Sequence, residues 1–382
     1  MYILLSLEKR EIRPSKHRKG MSAMKRLPMC ALFFVLLTVA SIGCTGFRVI
    51  SKDGAIVAAR TLEFEFDLGS KIVVAPRDTF MTALTTGWEG LSWNVKHGYV
   101  GANALGMDLV ADGINEAGLA CGGFHFTGCA GHQPLEKDLY KSTISHYDVI
   151  GLILENFATV EEVKSALDDI RVYGLAIMIT ESTMMPLHYI VYDAHGGCIV
   201  IEYVDGELNI HENPLGVITN NPTFDWHLQN LSNYVNVTPA NIKSSKLGDF
   251  EIRATGNGTG LLGLPGDNTS PSRFVRAAFY SHGEVKPASA EPAVTLAWHI
   301  LNALDIPEGL VVNEELGIVI SRDIAYWSAV RDLTNRVYYY RTYEDLNIRK
   351  VELDRIDFSS GNIRFLNMSH EQNYIDVTDA IK

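Results

Sequence analysis

Residues 44–64 read CTGFRVISKDGAIVAARTLEF, and this stretch decides the predicted fold. Two apolar runs flank the turn sequence Lys52-Asp53-Gly54, and each run is typical of a β-strand. The two predicted strands are Phe47–Ile50 and Ala55–Ala59, and we predict that they form a β-hairpin. Arg60 follows Cys44 at a distance that one hairpin would cover, so its guanidinium could return to the side of the thiol.

The residues before Cys44 have the pattern of a secretory signal peptide. A basic start is followed by an apolar run, and the small residues Ser41 and Gly43 precede the cysteine. We expect residues 1–43 to be a leader and signal peptide that is removed. The mature protein would then begin at Cys44 and be periplasmic or secreted.

A cysteine at the N-terminus would carry a thiol and a free α-amine on one residue, which is a complete nucleophile-plus-base unit. The alternative is lipid attachment at Cys44, as in bacterial lipoproteins, which would block the thiol and cap the amine. Such sites usually have an aliphatic residue three positions earlier, where this chain has Ser41. The residues favour the free cysteine and leave a non-catalytic lipoprotein or binding module as the alternative.

Charge and hydropathy argue against two classes of partner. Residues 1–43 hold eight of the 33 Lys and Arg and two of the 45 Asp and Glu, so residues 44–382 carry a net charge of −18. We expect no nucleic-acid partner, because phosphate binding requires a basic face. No apolar run after residue 43 reaches the ~20 residues of a membrane span. We expect residues 44–382 to form one catalytic domain without stable membrane insertion.

The other cysteines argue against a disulfide framework. The chain has five cysteines and no CxxC motif. Besides Cys44 they are Cys30, Cys121, Cys129 and Cys198. Cys129 and His132 form a lone CxxH without a second ligand pair at metal spacing. We predict no metal and no organic cofactor.

Short strands dominate the first two thirds of the chain after residue 43. Turn sequences separate them, and apolar residues at three- and four-residue spacing indicate helices between and after them. The predicted strands include Lys71–Ala75, His188–Tyr192, Cys198–Val204, Glu207–His211, Gly317–Ile320, Tyr326–Asp332 and Arg336–Arg341. The predicted helices are Val149–Phe157, Val160–Ile170 with Thr159 as N-cap, Trp226–Tyr234, Ser272–Tyr280 and Ala293–Leu304. Strand runs interleaved with helix pairs favour α+β layers over a βαβ repeat.

Two residues near the end of the hairpin are candidates for tuning Cys44. A permanent cation at Arg60 would lower the pKa of the thiol and favour the thiolate. The Glu63 carboxylate could hold the α-amine by a charge-assisted hydrogen bond. A surface arginine at a strand end and a solvated acid are equally ordinary readings of these positions.

Three more candidates lie further along the chain. The side-chain amide of Asn220, between a predicted strand and a helix, could donate to an oxyanion, although Asn before Pro is also common in turns. Arg273 lies in the first turn of a helix, where the dipole disfavours a cation, and this misfit hints at a role in a site. His125, among aromatic residues, could be a base or a packed, hydrogen-bonded residue.

Six segments carry a specific resemblance, in order, over essentially all of residues 44–382. They are CTGFR at Cys44, AARTLEF around Arg60, ADGINEAGL at residues 111–119, TNNPTFDWHLQNL from Thr219, LPGDNTSPSRFVRAAF around Arg273, and WSAVRDLTNRVYYYRTY near the end. They resemble the choloylglycine hydrolase family of N-terminal-nucleophile enzymes, which includes penicillin V acylases and conjugated bile salt hydrolases.

The resemblance implies a four-layer αββα sandwich, with Cys44 at the end of a central strand. It implies that Cys44 is the catalytic cysteine, Asn220 the oxyanion residue, and Arg60 and Arg273 the two site arginines. Two further positions depart from the family. Glu63 stands where the family usually has Asp, and His125 stands where its second oxyanion residue is commonly Asn or Tyr.

The implied activity is hydrolysis of a linear, non-peptide amide through an acyl-enzyme, without a cofactor. Penicillin V, conjugated bile acids and N-acyl homoserine lactones all present an apolar acyl group beside an amide, and the sequence does not choose among them. Trp88, Trp93 and Phe124 could line the substrate pocket, although aromatic residues usually pack in a core. The family also implies a homotetramer.

Overall fold

The structure of the protein is a computed structural model. It describes residues 43–177, 184–283, 285–359 and 361–381. The predicted leader lies outside the described residues except for Gly43, so its removal stays a prediction. In the described part of the chain, no helix has the length and apolarity to cross a membrane.

The described ranges form twenty strands and five α-helices. The strands are β1 (Cys44–Ile50), β2 (Ile56–Phe64), β3 (Lys71–Ala75), β4 (Phe80–Thr82), β5 (Ser92–Asn94), β6 (Tyr99–Ala104), β7 (Leu109–Asn115), β8 (Ala120–His125), β9 (Thr143–Ser145), β10 (Arg171–Tyr173), β11 (Leu187–Tyr192), β12 (Cys198–Val204), β13 (Glu207–Glu212), β14 (Ser244–Leu247), β15 (Phe250–Arg253), β16 (Val311–Glu315), β17 (Ile318–Asp332), β18 (Val337–Thr342), β19 (Arg349–Glu352) and β20 (Arg364–Asn367). The α-helices are α1 (Val149–Asn156), α2 (Val160–Leu167), α3 (Phe224–Asn230), α4 (Ser270–Ser281) and α5 (Ala290–Asn302). Short 3-10 helices lie at Lys137–Ser142, Leu231–Tyr234, Thr259–Leu261, Leu353–Arg355 and Thr378–Ala380.

Two antiparallel sheets contain most of these strands. Sheet A has the order β1-β2-β17-β18-β19, and β16 also pairs with β17. Sheet B has the order β13-β12-β11-β8-β7-β6-β3-β20. The pairs β4/β5, β9/β10 and β14/β15 form separate two-stranded sheets.

The two sheets pack face to face between two layers of helices. Helices α4 and α5 contact β1 and β2 of sheet A, and α1 contacts β7 and β8 of sheet B. Between the sheets, β1 contacts β8 and β18 contacts β7. One core cluster fills the space between the sheets and under α4 and α5, and a second lies between sheet B and helices α1 and α2. This confirms the predicted αββα sandwich.

The central strand β2 is buried on both faces, and this explains its sequence. All nine residues of Ile56–Phe64 are buried, because sheet B covers one face of sheet A and helices cover the other. An apolar run is expected for such a strand. Arg60, Thr61 and Glu63 break that run with polar side chains, and burying a charge is costly unless it is paired.

Local turn and capping signals predicted the elements well. The β1/β2 hairpin, β3 and β12 are confirmed, and the Thr159 hydroxyl accepts a hydrogen bond from the Glu162 amide at 3.2 Å as the predicted N-cap. One prediction was wrong. Gly317–Ile320 and Tyr326–Asp332 are not separate strands, because Ile318–Asp332 forms the single strand β17 and Gly317 lies in the turn before it. Its first half pairs with β16 and its second half lies between β2 and β18, so tertiary pairing makes it continuous.

Gly46 marks a close approach between the two sheets. It pairs with Arg60 across the β1/β2 hairpin, and its amide donates to the Ile218 carbonyl at 2.8 Å. A Cβ atom at this position would lie 2.8 Å from the Phe124 ring and 3.0 Å from Ile218. Only glycine therefore fits here without movement of a neighbour.

We predict that Gly46→Ala lowers the free energy of unfolding by about 1–3 kcal/mol, because overpacking displaces the buried Phe124 ring. Gly256→Ala is the matched control, since a Cβ there meets no atom within 4 Å, and its effect should stay within about 0.5 kcal/mol. Denaturant unfolding measures both. Equal stability of the two variants would contradict the close approach.

Candidate active site

Cys44 occupies the first position of β1, and its side chain lies between the two sheets. It pairs with Leu62 of β2, and directly opposite residues point to the same face of a sheet. The peptide N–H of Cys44 donates to Asn220 Oδ1 at 2.8 Å, and its carbonyl accepts from Arg273 Nη1 at 2.7 Å. In this structure Cys44 is bonded to Gly43, whose carbonyl accepts the Glu63 amide at 3.0 Å.

Arg273 fixes the orientation of the Asn220 amide. Its Nη2 donates to Asn220 Oδ1 at 2.8 Å, so this oxygen accepts two hydrogen bonds and the NH₂ group must point the other way. Asn220 Nδ2 donates to the His125 carbonyl at 2.8 Å. An amide NH₂ has two donors, and no described residue accepts the second one. Four of the predicted residues thus form one hydrogen-bonded group: Cys44, His125, Asn220 and Arg273.

Two residues that the sequence reading did not single out hold Asn220 in place, and a third contacts the carbonyl of the preceding Thr219. His227 Nε2 lies 2.9 Å from the Asn220 carbonyl, and Ser270 Oγ accepts the Asn220 amide at 2.9 Å. His188 lies 3.0 Å from both the Thr219 carbonyl and the Glu202 carboxylate. His227 and Ser270 lie within two of the segments that carry the family resemblance, but nothing in their sequence shows that they meet at this point.

Arg60 lies on the same face of sheet A as Cys44, two positions along β2 from Leu62. Its guanidinium is buried, donates to the Gly123 carbonyl at 2.9 Å and stacks 4.2 Å from the Phe124 ring centre. Its Nη2 has no hydrogen-bond partner among the described residues. The buried position excludes the reading of Arg60 as a surface arginine.

A buried charge cluster that the sequence reading missed surrounds Arg60. Asp112 lies 3.8 Å from Arg60 Nη1, binds Arg331 Nη1 directly and accepts from the Tyr338 hydroxyl at 3.2 Å. The cluster has two fully buried arginines and one fully buried carboxylate. Its excess positive charge favours an anion nearby, and Cys44 lies on this side of sheet A.

Opposing effects act on the Cys44 thiol. Burial, the largest effect, raises its pKa, while the positive charges of Arg60 and Arg273 lower it and Glu63 raises it. The pKa of the thiol stays above its ordinary value in this structure. A base is therefore needed to remove the proton, since the arginines alone do not make a thiolate.

Glu63 lies on the opposite face of β2 from Arg60, on the side of helix α4. Its carboxylate is fully buried, and neither oxygen has a partner within hydrogen-bond geometry among the described residues. Burial raises its pKa to about 7, opposed by Arg273, the Thr61 hydroxyl and Arg60. With Gly43 attached, the nitrogen of Cys44 binds Asn220 rather than Glu63. The predicted contact of Glu63 with a free α-amine stays a prediction.

His125 ends β8, and its ring is held rather than free. Its Nδ1 lies 2.6 Å from the Thr127 hydroxyl, and burial, together with His188, lowers its pKa to about 3. The imidazole is therefore neutral near pH 7. This supports the packed, hydrogen-bonded reading of His125, while its carbonyl is the group that orients Asn220.

Cys44 is one of the residues that line an apolar pocket. Aliphatic and aromatic side chains from both sheets and α1 line it, together with His125. They include Leu62, Phe64, Leu105, Ile150 and Leu187. Trp88, Trp93 and Phe124, the three aromatic candidates for a pocket lining, are not among the residues that line it. Phe124 packs under Arg60, Trp88 packs against Tyr140 and Tyr173, and Trp93 lines a different cavity.

The described residues contain no group of three or more His, Cys, Asp or Glu side chains arranged to hold a metal ion. The chemistry available in the site comes from a thiol, an amide and buried guanidinium groups. Such a set can attack a carbonyl carbon and stabilise the charge that forms on its oxygen.

Comparison with known proteins decides the family. The sequence profile of the linear amide C-N hydrolases, choloylglycine hydrolase family, matches residues 44–371. The chain belongs to this family. It is a linear amide hydrolase, as predicted.

Relatives and solved structures agree with this assignment. The chain is 32% identical to the bile salt hydrolase/transferase of Clostridium perfringens, over 84% of this chain and 95% of that protein. It is 27% identical to the penicillin V acylase of Pectobacterium atrosepticum, over 91% and 92%. A variant of the conjugated bile acid hydrolase from Clostridium perfringens superposes with a TM-score of 0.77 at 30% identity, over 88% of this chain and 100% of that one. Penicillin V acylase from Agrobacterium tumefaciens gives 0.68 at 25% identity, over 85% and 91%.

We predict that Glu63→Gln stabilises the uncleaved chain more at pH 8 than at pH 4. Because the pKa of Glu63 is about 7 in the folded chain and 4.5 is its ordinary value, the native state binds this proton more tightly than the unfolded state. Stability is therefore lost as the pH rises from 4.5 to 7. Removing the carboxyl should recover on the order of 3 kcal/mol across that range.

Denaturant unfolding at stepped pH measures the difference, in a chain that starts with Met before Gly43 and so keeps the peptide bond to Cys44. Glu207→Gln, at an exposed strand position, is the control, and its difference from the parent should change much less with pH. If Glu63→Gln changes the free energy of unfolding by the same amount at pH 4 and at pH 8, Glu63 is not a buried acid with a raised pKa.

Proposed function

We propose that cleavage between Gly43 and Cys44 creates an N-terminal nucleophile, and that the Cys44 thiol attacks the carbonyl of linear amides with an apolar acyl group. The observation that carries this proposal is the apolar pocket that Cys44 helps to line. An acyl group in that pocket would place its carbonyl beside the thiol. The amine half of the substrate would then extend toward solvent.

The nitrogen of Cys44 is the base in this proposal. A free α-amine has an ordinary pKa of about 7.7–8.0, so much of it is unprotonated near neutral pH. Asn220 Oδ1 lies 2.8 Å from this nitrogen and would orient the amine beside the thiol. The α-amine takes the thiol proton and the sulfur adds to the amide carbonyl carbon. The C–N bond then breaks, the α-ammonium gives its proton to the leaving amine, and a thioester remains. Water attacks the thioester carbonyl while the α-amine accepts a proton from it, the C–S bond breaks, and that proton returns to the thiolate as the carboxylic acid leaves.

Asn220 is also the proposed oxyanion donor. Its Nδ2 has one N–H on the His125 carbonyl and a second that no described residue accepts. Arg273 holds the amide oxygen from the other side, so the NH₂ group cannot rotate away without losing a charge-assisted hydrogen bond. A donor held in this way needs little reorganisation when charge develops on the substrate oxygen.

The substrate class rests on the relatives and on the pocket. Relatives are named bile salt hydrolases and a penicillin V acylase, and both names refer to amides with apolar acyl groups. We propose that this chain acts on conjugated bile acids, penicillin V or related N-acyl amides, in the periplasm or outside the cell. Hydrolysis rates on a panel of these amides, with N-acyl homoserine lactones included, would rank them. The homotetramer stays a prediction.

We predict that the exported protein begins at Cys44 with an unmodified amine, and that Cys44→Ser loses most activity because an alkoxide is much harder to form than a thiolate. Intact mass and N-terminal sequencing test the first statement, and amide hydrolysis tests the second. A bulky residue at position 43 that blocks cleavage should abolish activity as well, because an acylated amine is no base. A mass increased by lipid groups would instead support the lipoprotein alternative.

We predict that Arg60→Met raises the pKa of the Cys44 thiol, because it removes the largest of the effects that lower it. Alkylation of Cys44 by iodoacetamide should slow about tenfold for each unit of the pKa increase at pH values below the thiol pKa. Its pH profile should move to higher pH and keep the same maximum. Peptide mass spectrometry assigns the reaction to Cys44.

Arg48→Met is the matched control for this experiment. Arg48 is a buried arginine on β1 whose guanidinium donates to the Gly196 and Pro214 carbonyls. It does not contribute to the pKa of the thiol. If both variants shift the alkylation profile equally, the effect comes from loosened packing and the electrostatic role of Arg60 is wrong.

A further inference from the structure

One buried carboxylate on sheet B contacts both ends of the segment that carries Asn220. We call residues 219–224 the oxyanion segment, and it leads directly into helix α3. Glu202 lies on β12 and is 1% exposed. The Phe224 amide donates to its two oxygens at 3.0 and 3.2 Å. One of these oxygens, Oε1, also lies 3.0 Å from Nδ1 of His188, the residue that contacts the other end of the segment.

The first end of the oxyanion segment is held through His188. Its Nε2 lies 3.0 Å from the Thr219 carbonyl, and its ring stacks on Phe126 with the ring centres 4.2 Å apart. Although burial raises the pKa of Glu202, the hydrogen bonds of His188 and His211 lower it to about 2, so the carboxylate is ionised near pH 7. A carbonyl and a carboxylate only accept hydrogen bonds, so His188 must donate from both ring nitrogens. It therefore links the two groups as an imidazolium.

The second end of the oxyanion segment is held at the start of helix α3. Phe224 is the first residue of this helix, where the backbone amides have no partner within the helix, and Glu202 accepts its amide. The same helix carries His227, whose Nε2 lies 2.9 Å from the Asn220 carbonyl. Both peptide groups that flank the Asn220 Cα are therefore connected to Glu202. One connection runs through His188 and the other runs through α3.

We propose that Glu202 is a positioning residue for amide hydrolysis, because it fixes the backbone from which the Asn220 side chain reaches the substrate oxygen. The inference rests on the proposed function, which assigns the oxyanion role to Asn220. Arg273 and the His125 carbonyl orient the side-chain amide, and Glu202 holds the peptide groups on either side of it. Glu202 is not among the residues that line the apolar pocket. Since a displacement of ~1 Å can cost about a hundredfold in rate, such a residue can control turnover without touching the substrate.

The first test compares two isosteric substitutions in the processed enzyme, on the amide that it hydrolyses fastest. Glu202→Gln removes the charge and one acceptor, so kcat should fall about tenfold while KM changes less than about twofold. Asp193→Asn is the matched control. Asp193 is also buried, lies between β11 and β12, and accepts the amide of Val160, the first residue of α2, at 2.9 Å. Its kcat should stay within about twofold of the parent, and equal losses in the two variants would overturn the proposal.

A double-mutant cycle shows whether Glu202 acts through Asn220. In an Asn220→Ala background no side-chain donor remains to be misplaced, so Glu202→Gln should lower kcat by less than about twofold. A tenfold loss in both backgrounds would show that the two residues act independently and would overturn the proposal. His188→Gln breaks only the connection to Thr219 and should show the same dependence on Asn220. It replaces Glu202→Gln in the cycle if that variant does not fold.

Amide hydrogen exchange distinguishes this inference from the proposed function, because it needs no turnover. Mass spectrometry of peptides should show exchange at least about tenfold faster in the oxyanion segment of Glu202→Gln, and faster exchange only at the start of α2 in Asp193→Asn. Unchanged exchange in the oxyanion segment would overturn the role of Glu202 whatever the kinetics. An Asn220→Ala enzyme with the parent kcat would overturn the oxyanion role of Asn220 alone. Faster exchange in Glu202→Gln would then still show that Glu202 holds the segment.

Discussion

The guanidinium of Arg273 joins the segments on which the site depends. Its three nitrogens donate to the Asn268 carbonyl, to the carbonyl of Cys44 with the Thr45 hydroxyl, and to the Asn220 side chain. These segments are the loop before α4, the first strand β1 and the connection between β13 and α3. Arg273 is 2% exposed, so each bond forms in a low-dielectric setting where a charge-assisted bond is strong and an unmade one is costly. Helix α4 thus places Cys44 and Asn220 relative to each other.

The same interaction explains a cation in the first turn of a helix. The helix dipole disfavours a positive charge there, and the side chain avoids the helix end by reaching across to β1 and Asn220. The local cost is offset by four acceptors in other segments. The unfavourable position of Arg273 in the first turn of a helix therefore indicated contacts with residues distant in sequence. Such a departure from local preference is expected at a functional site.

Particular residues show what the sequence could and could not predict. Hairpins such as β1/β2 depend on turns within a few residues, so their signals are local. Asp112 lies in the motif at residues 111–119, but nothing near it in sequence shows that it meets Arg331 and Arg60 from the other sheet. His227 and Ser270 support Asn220 only after α3 and α4 have packed. The sequence also could not show which cavity Trp93 lines, because that depends on how α1 packs.

Side chains alternate between the two faces of β2, and this places Arg60 and Glu63 on opposite sides of sheet A. Arg60 points toward sheet B, where the guanidinium lies on the same side as the thiol, and Glu63 points toward α4, near Gly43 and Arg273. A shift of one residue in the β1/β2 register would exchange the two faces and place the carboxylate beside the thiol. The acid would then raise the thiol pKa where the arginine now lowers it. The paired register of Cys44 with Leu62 is thus a chemical requirement as well as a structural one, and the hairpin turn at the far end of the strands sets it.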